Sequence, residues 1–269
     1  MTLFKVIQPL IGRTRFQSLF ERSYRLSLHG MNIGTGSDLN TSGEMNVIRL
    51  MEQFFPNDEE LVIFDVGANV GNYTQQVLNT LSNKAKVFCF EPAEGTYQSL
   101  IQNLAQYKNV HAHNFGLGDK EESVTLFSDR EGSGLASIYK RRLDHFSRQL
   151  NSMEKIELRT LDSFCAEIGL KHLHLLKLDV EGNELNVLLG SRNMIEENCI
   201  DLIQFEFGGC NIDSRTFFQD FFYLLNPYYR FYRILKDGFL LINRYAETHE
   251  IFITTNYLCV SKKLNNLPI

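Results

Sequence analysis

The stretch from Leu61 to Gly71 constrains the fold more than any other. It runs Leu-Val-Ile-Phe and then Asp65-Val-Gly-Ala-Asn-Val-Gly71. A short, continuous apolar run reads as a strand buried on both faces. Residues 72 to 82 follow with Tyr73, Val77, Leu78 and Leu81 at helical spacing. The strand–helix unit recurs. A strand at Lys86 to Phe90 precedes a helix with Tyr97, Leu100, Ile101 and Leu104 on one face. Further strands are expected at Val110 to Phe115, Leu173 to Leu178 and Ile200 to Phe207, with a helix at 183 to 190 between the last two. Repetition of this unit predicts an α/β fold, a doubly wound and mostly parallel sheet with helices on both faces.

The C-terminal part breaks the alternation. Phe217 to Leu225 reads as a helix, and Tyr229 to Ile234 and Tyr257 to Val260 read as strands of an antiparallel edge. Residues 128 to 154 are polar and irregular, a binding loop or a surface excursion. Thr41-Ser-Gly-Glu44 has capping-box chemistry ahead of a helix at Met45 to Phe55. The expected division is an N-terminal helical extension, 1–43, and one α/β domain, 44–269, carrying the 128–154 insertion.

In an open parallel sheet, ligands bind beyond the carboxyl ends of the strands, where strand order reverses. The loop after the first strand is therefore the candidate cofactor loop. Gly67 and Gly71 let its backbone turn tightly and approach a ligand. Glu91 ends the second strand, 20 residues after Gly71. A carboxylate at about that spacing accepts both hydroxyls of an adenosine ribose. Dinucleotide sites prefer Gly-x-Gly-x-x-Gly, whereas this loop has Gly67-x-x-x-Gly71. Asp65, just ahead of it, would repel a phosphate and suits a cationic group. Charge thus favours S-adenosylmethionine, with its ammonium and sulfonium, over NAD and nucleotides. No Gly-x-x-x-x-Gly-Lys-Ser/Thr pattern is present, which argues against an NTPase.

Five segments in order resemble the FkbM family of methyltransferases, within the class I Rossmann-like fold. They are Phe64 to Thr74, Phe90-Glu-Pro92, Asn114 to Asp119, Thr160-Leu-Asp162 and Leu175 to Leu185. The resemblance covers about residues 44 to 262. It implies a seven-stranded sheet with an antiparallel C-terminal strand and O-methylation of hydroxyls on sugars, glycolipids or secondary metabolites. It places Asp65, Gly67, Asn69 and Gly71 along the cofactor's methionine part and Glu91 at the ribose, with Ala68 and Asn72 also expected to bind the cofactor. Leu117, Gly118 and Asp119 would border the adenine, although Asp119 equally suits a turn cap. Gly132-Ser-Gly-Leu-Ala-Ser137 is similar to a family segment whose hydroxyls, Ser137 included, would meet the cofactor carboxylate or the acceptor; turn chemistry also explains it.

Methyl transfer to oxygen needs alignment, exclusion of water and removal of a proton. The candidate carboxylates are Asp179, Glu181 and Glu206, after the fourth and fifth parallel strands. In extended backbone Asp179 and Glu181 would share a face. One could be the base, or the three could hold a divalent metal. Glu184 reads as a helix starter. His111, His113, His172 and His174 sit at strand starts, away from the site, and His145 lies in the insertion as a solvated residue or a base. The aromatic cluster Phe217 to Tyr229 reads as core, with an acceptor pocket as the alternative.

Composition narrows the partners. The 269 residues carry 27 basic and 32 acidic side chains, a net charge of −5. No basic excess invites nucleic acid. The five cysteines, without a Cys-x-x-Cys pair, read as small buried hydrophobes in a reducing compartment. No run of about 18 apolar residues exists and the N-terminus lacks a secretory layout, so a cytoplasmic location is expected. Residues 3 to 28 mix Phe4, Ile7, Leu10, Phe16, Leu19 and Phe20 with four arginines, a pattern for peripheral membrane contact or for packing on the domain. The leading reading is an O-methyltransferase acting on a small-molecule or glycan hydroxyl. Its rivals are a non-catalytic cofactor-binding scaffold and a nicotinamide-dependent oxidoreductase.

Overall fold

The computed structural model describes residues 7–35, 39–130 and 132–264. Its first strand, β1 (Leu61–Val66), is buried at every residue because helices cover both faces of the sheet. Val62, Phe64 and Val66 join Phe88, Phe90 and Phe164 in one core. Ile63 joins Val87, Leu175 and Leu202 in the other. Alternate side chains thus enter opposite layers, and the strand reads as apolar throughout.

The remaining strands are β2 (Ala85–Phe90), β3 (Val110–His113), β4 (Gly116–Leu117), β5 (Glu122–Ser128) and β6 (Ser152–Arg159). They continue with β7 (Leu173–Leu178), β8 (Ile200–Phe207), β9 (Tyr229–Leu235), β10 (Gly238–Ile242) and β11 (Thr255–Ser261). Eight form one sheet in the order β10-β9-β11-β8-β7-β1-β2-β3. The five from β8 to β3 run parallel, and β11 runs antiparallel to both neighbours. The implied sheet of seven with an antiparallel last strand is present, and β10 adds an eighth by pairing antiparallel with β9 at the edge.

The expected strand at Val110 to Phe115 ends at His113, and the chain then crosses to a second sheet of order β4-β6-β5. The 128–154 region is therefore irregular only in its middle. β5 and β6 pair antiparallel from Glu122↔Leu158 to Ser128↔Ser152 and bracket it. β6 escaped notice because one face is wet: Met153 is exposed while Ile156 and Leu158 are buried.

Helix Phe218–Leu225 buries Phe218, Phe221, Phe222 and Leu225. These positions repeat at i, i+3, i+4 and i+7, and each buried side chain contributes roughly 2 kcal/mol. The aromatic cluster is thus mostly core, with Phe217 and Tyr223 exposed. Helix Glu44–Phe54 begins without the expected capping box. Gly43 takes the N-cap position at φ 90°, and Ser42 bonds the Glu44 side chain at 2.9 Å. A Cβ on Gly43 would meet the Leu235 carbonyl oxygen at 2.2 Å.

Helix Gln17–Gly30 buries only Leu28, leaving Leu19, Tyr24 and Leu26 exposed. Phe4, part of the expected amphipathic segment, lies outside the described residues. Among the described residues, no helix is long and apolar enough to cross a membrane.

Candidate active site

Strand order reverses between β1 and β7, and the loops at their carboxyl ends meet there. After β1 the chain folds over the end of β2: the Gly67 and Ala68 amides donate to the Phe90 carbonyl at 3.0 and 3.1 Å. Gly67 adopts φ 79°, and a Cβ there would lie 1.9 Å from the Asp179 carbonyl oxygen. Gly71, at φ 91°, abuts Leu100, whose Cδ1 would be 2.9 Å from a Cβ. Gly67 is thus required by the protein's own close packing and Gly71 by its left-handed backbone, reasons that need no ligand.

Glu91 is anchored by the loop that it faces. Its Oε2 accepts from the Asn69 amide and its Oε1 from the Ala93 amide, each at 3.0 Å. Each oxygen keeps a second lone pair. Burial pushes this carboxyl up to about 7, against the pull of those two amides. Asn69, itself at φ 49°, donates from Nδ2 to the Ser133 carbonyl at 3.2 Å.

Glu91 and Asn69 line a cavity whose apolar walls are Pro92, Leu117, Leu126, Ile138, Ile156 and Leu158. Asp179, Glu181 and Asn183 close its other end. Of the residues singled out in the sequence, the cavity takes Gly67, Asn69, Glu91, Leu117, Asp179 and Glu181. Ala68 and Gly118 are buried beside it, Gly71 packs on Leu100, and Asn72 and Asp119 are exposed. Ser137 donates its hydroxyl to the Glu181 carbonyl at 2.7 Å, a structural bond. Leu126, Ile156 and Leu158 were missed because they come from the small sheet.

Asp65 has a different task from the one its position suggested. It is fully buried, accepts from Thr74 Oγ1 at 2.7 Å, and lies 3.1 Å from Lys177 Nζ. Lys177 also stands 3.4 Å from Asp179 and 5.0 Å from the Tyr73 ring centroid. Burial alone would lower the Lys177 pKa, but Asp65 and then Asp179 outweigh it and hold the ammonium charged. The Asp65 charge is therefore matched inside the protein by Lys177 and is not left to meet a cationic ligand, as its position in the sequence suggested.

The three candidate catalytic carboxylates are arranged differently from the extended pair expected. β7 ends at Leu178 and Glu181 is left-handed at φ 51°, so Asp179 and Glu181 do not share a strand face. Glu181 is ion-paired with Arg141 of the insertion. Burial, then the Asp179 charge, raises its pKa to about 8. Glu206, at the end of β8, takes no hydrogen bond or ion pair from the described residues. Burial, then Asp179 and Glu181, hold its carboxyl well above the usual range. Glu184 accepts from the Val180 and Gly182 amides at 3.0 and 3.1 Å and so braces the turn after β7.

Among the described residues, the one group of three side chains with metal-ligand spacing is His172, His174 and Asp201. It lies at the opposite end of the sheet, and Asp179, Glu181 and Glu206 do not form such a group. His174 Nδ1 already accepts from the Val62 amide at 3.0 Å.

The family model "Methyltransferase FkbM domain" matches residues 65–231. Methyltransferase 1 of Beauveria bassiana is 28% identical over 154 residues, which cover 51% of this chain and 59% of that protein. The 2-O-methyltransferase NoeI of Sinorhizobium fredii is 26% identical, with 55% and 63% covered. The hexuronic acid methyltransferase AglP of Haloferax volcanii is 27% identical, with 57% and 59% covered. The chain thus spans about six-tenths of the length of these curated relatives.

Proposed function

The chain belongs to the FkbM methyltransferase family, and from that premise we propose that it transfers a methyl group from S-adenosylmethionine to a hydroxyl of a sugar, a glycolipid or another small molecule. The observation that carries this reading is Glu91: a buried carboxylate at the end of β2, held by two amides, facing a cavity at the switch point. Its remaining lone pairs suit two ribose hydroxyls. The slot of Pro92, Leu117, Leu126, Ile138, Ile156 and Leu158 suits a flat adenine. Asn69 and Asp179, further along the cavity, would hold the polar methionine end.

When bound, S-adenosylmethionine supplies a methyl group on a sulfonium. The chain's own residues position the acceptor, exclude water and take the hydroxyl proton. Glu206 suits the last role: it is unpartnered, and its raised pKa makes it a stronger base than an ordinary carboxylate. Glu181, tied to Arg141, acts as a positioning residue between the two carboxyl ends. The relatives' names support an oxygen acceptor on a sugar.

Calorimetric titration with S-adenosylmethionine and S-adenosylhomocysteine tests this. Binding is expected, and its absence from folded protein refutes the reading. Binding without labelled methyl transfer to any of a panel of sugar acceptors would favour the scaffold alternative.

A further inference from the structure

A second cavity, of about 770 Å³, adjoins the first and shares Glu181 with it. Its lining includes Glu206, Lys140, Arg142 and Arg215, with Phe146 and Phe252 as apolar surface. The charges there do not cancel. Glu181 and Asp213 both face Arg141, with Asp213 at 3.8 Å. Burial, then the Asp179 and Glu181 charges, raises the Glu206 pKa. Lys140, Arg142 and Arg215 make no ion pair or hydrogen bond through their side chains with the described residues. Three unmatched cations therefore line one concave surface of a chain whose net charge is −5. With Arg141 they make four cations against the three carboxylates Glu181, Glu206 and Asp213, a net positive lining that raises the local potential for an anion.

We propose that this cavity is the acceptor subsite and that it takes a sugar bearing an anionic group, a carboxylate or a phosphate, held by Lys140, Arg142 and Arg215. The proposal rests on the methyl-transfer reading and adds the acceptor's chemical class to it. Guanidinium groups match carboxylate and phosphate oxygens in paired hydrogen bonds. Phe146 and Phe252 provide apolar surface for the C–H face of a ring. Glu206, in the same cavity, stands where an acceptor hydroxyl would need its base.

The test is equilibrium binding at low ionic strength. Full-length protein is first titrated with S-adenosylhomocysteine and then, saturated with it, with D-glucuronate, D-glucose 6-phosphate and D-glucose. The anionic sugars are expected to bind roughly tenfold or more tightly than glucose. The double variant Arg142→Gln/Arg215→Gln, changed at two exposed positions, should lose most of that advantage while keeping its affinity for S-adenosylhomocysteine. Whichever anionic sugar binds more tightly identifies carboxylate or phosphate as the group. Equal affinity for charged and neutral sugars, no binding of any of the three, or an advantage that survives in the double variant overturns the proposal. Failure of the first titration instead removes the methyl-transfer reading.

Discussion

Replacing Gly67 by alanine separates two reasons for a glycine in the loop after β1. If the glycine serves a ligand, the change costs binding and leaves the free protein intact. If it serves the packing of β1 against β7, the free protein suffers. A non-glycine residue at φ 79° costs about 1–2 kcal/mol. The added Cβ would also lie 1.9 Å from the Asp179 carbonyl oxygen and 2.9 Å from its carbon. These are backbone atoms, so no side chain can swing aside. Relief requires the ends of β1 and β7 to part, an overpacking strain of about 1–3 kcal/mol. The sum is about 2–5 kcal/mol. At about 2–4 °C per kcal/mol for a chain of this size, the Tm falls by on the order of 10 °C. Differential scanning calorimetry without ligand measures it. Gly238→Ala, where a Cβ meets open space, is the control and should stay near the parent. A Gly67→Ala protein that melts within about 2 °C of the parent, yet no longer binds S-adenosylmethionine, would refute the packing argument.

Other expectations follow from the buried charges. Lys177→Met leaves Asp65 buried without its counter-charge and should cost about 3–5 kcal/mol in chemical denaturation, most of it recovered in Asp65→Asn/Lys177→Met; equal stability of the two variants would contradict the pairing. Glu91→Gln should weaken S-adenosylmethionine binding by about 10–100-fold, the loss expected for hydrogen bonds to a charged group, and the parent's affinity should fall as pH drops below about 7, where Glu91 becomes neutral. Glu206→Gln should lower kcat by about 10²–10⁴-fold with little change in KM, and should abolish the rise of kcat with pH expected of the parent; a retained rise would move the base elsewhere. Burial raises Glu184 from 4.5 to about 7, so the folded state binds its proton more tightly than the unfolded chain. That stabilisation is complete below pH 4.5 and is lost as pH rises to about 7, by roughly 1.4 kcal/mol per unit. Thermal melts of Glu184→Gln should show a flatter pH dependence than the parent across that window.

The parallel strands were legible because each is buried on both faces and reads as an unbroken apolar run. β10 was not, since Leu240 and Leu241 are exposed and only Ile242 is buried. β6 was hidden for the same reason, half of it facing solvent, and β5 buries only Leu126. The places of the loop after β1 and of Glu91 could be read from spacing, because a βα turn ties both to strand ends. The role of Asp65 could not be read from its own segment. Its partner Lys177 sits directly across the ladder, 112 residues on in the chain, in the register Asp65↔Lys177. A signal existed: a lysine in the middle of Leu-Leu-Lys-Leu must find an acid if that strand is central. The cavity walls Ile138, Ile156 and Leu158 carried no such mark, because an apolar residue facing a ligand looks like one facing a core.

The pairing of Ser128 with Ser152 has a consequence for how such a chain can change. The 23 residues between them leave and rejoin the body at two adjacent points of a fixed ladder. Closing a loop whose ends are already held together depends only weakly on its length, about 0.6 kcal/mol per doubling. The segment carries Lys140 and Arg142, and its first half also supplies Ser133, Ala136 and Ile138 to the first cavity and the Ser137 bond to Glu181. Insertions and deletions at the exposed stretch 144–149 therefore cost the fold little, whereas replacing 133–141 would disturb the cavity wall and the turn that carries Glu181, so only the far part of the hairpin is an exchangeable socket.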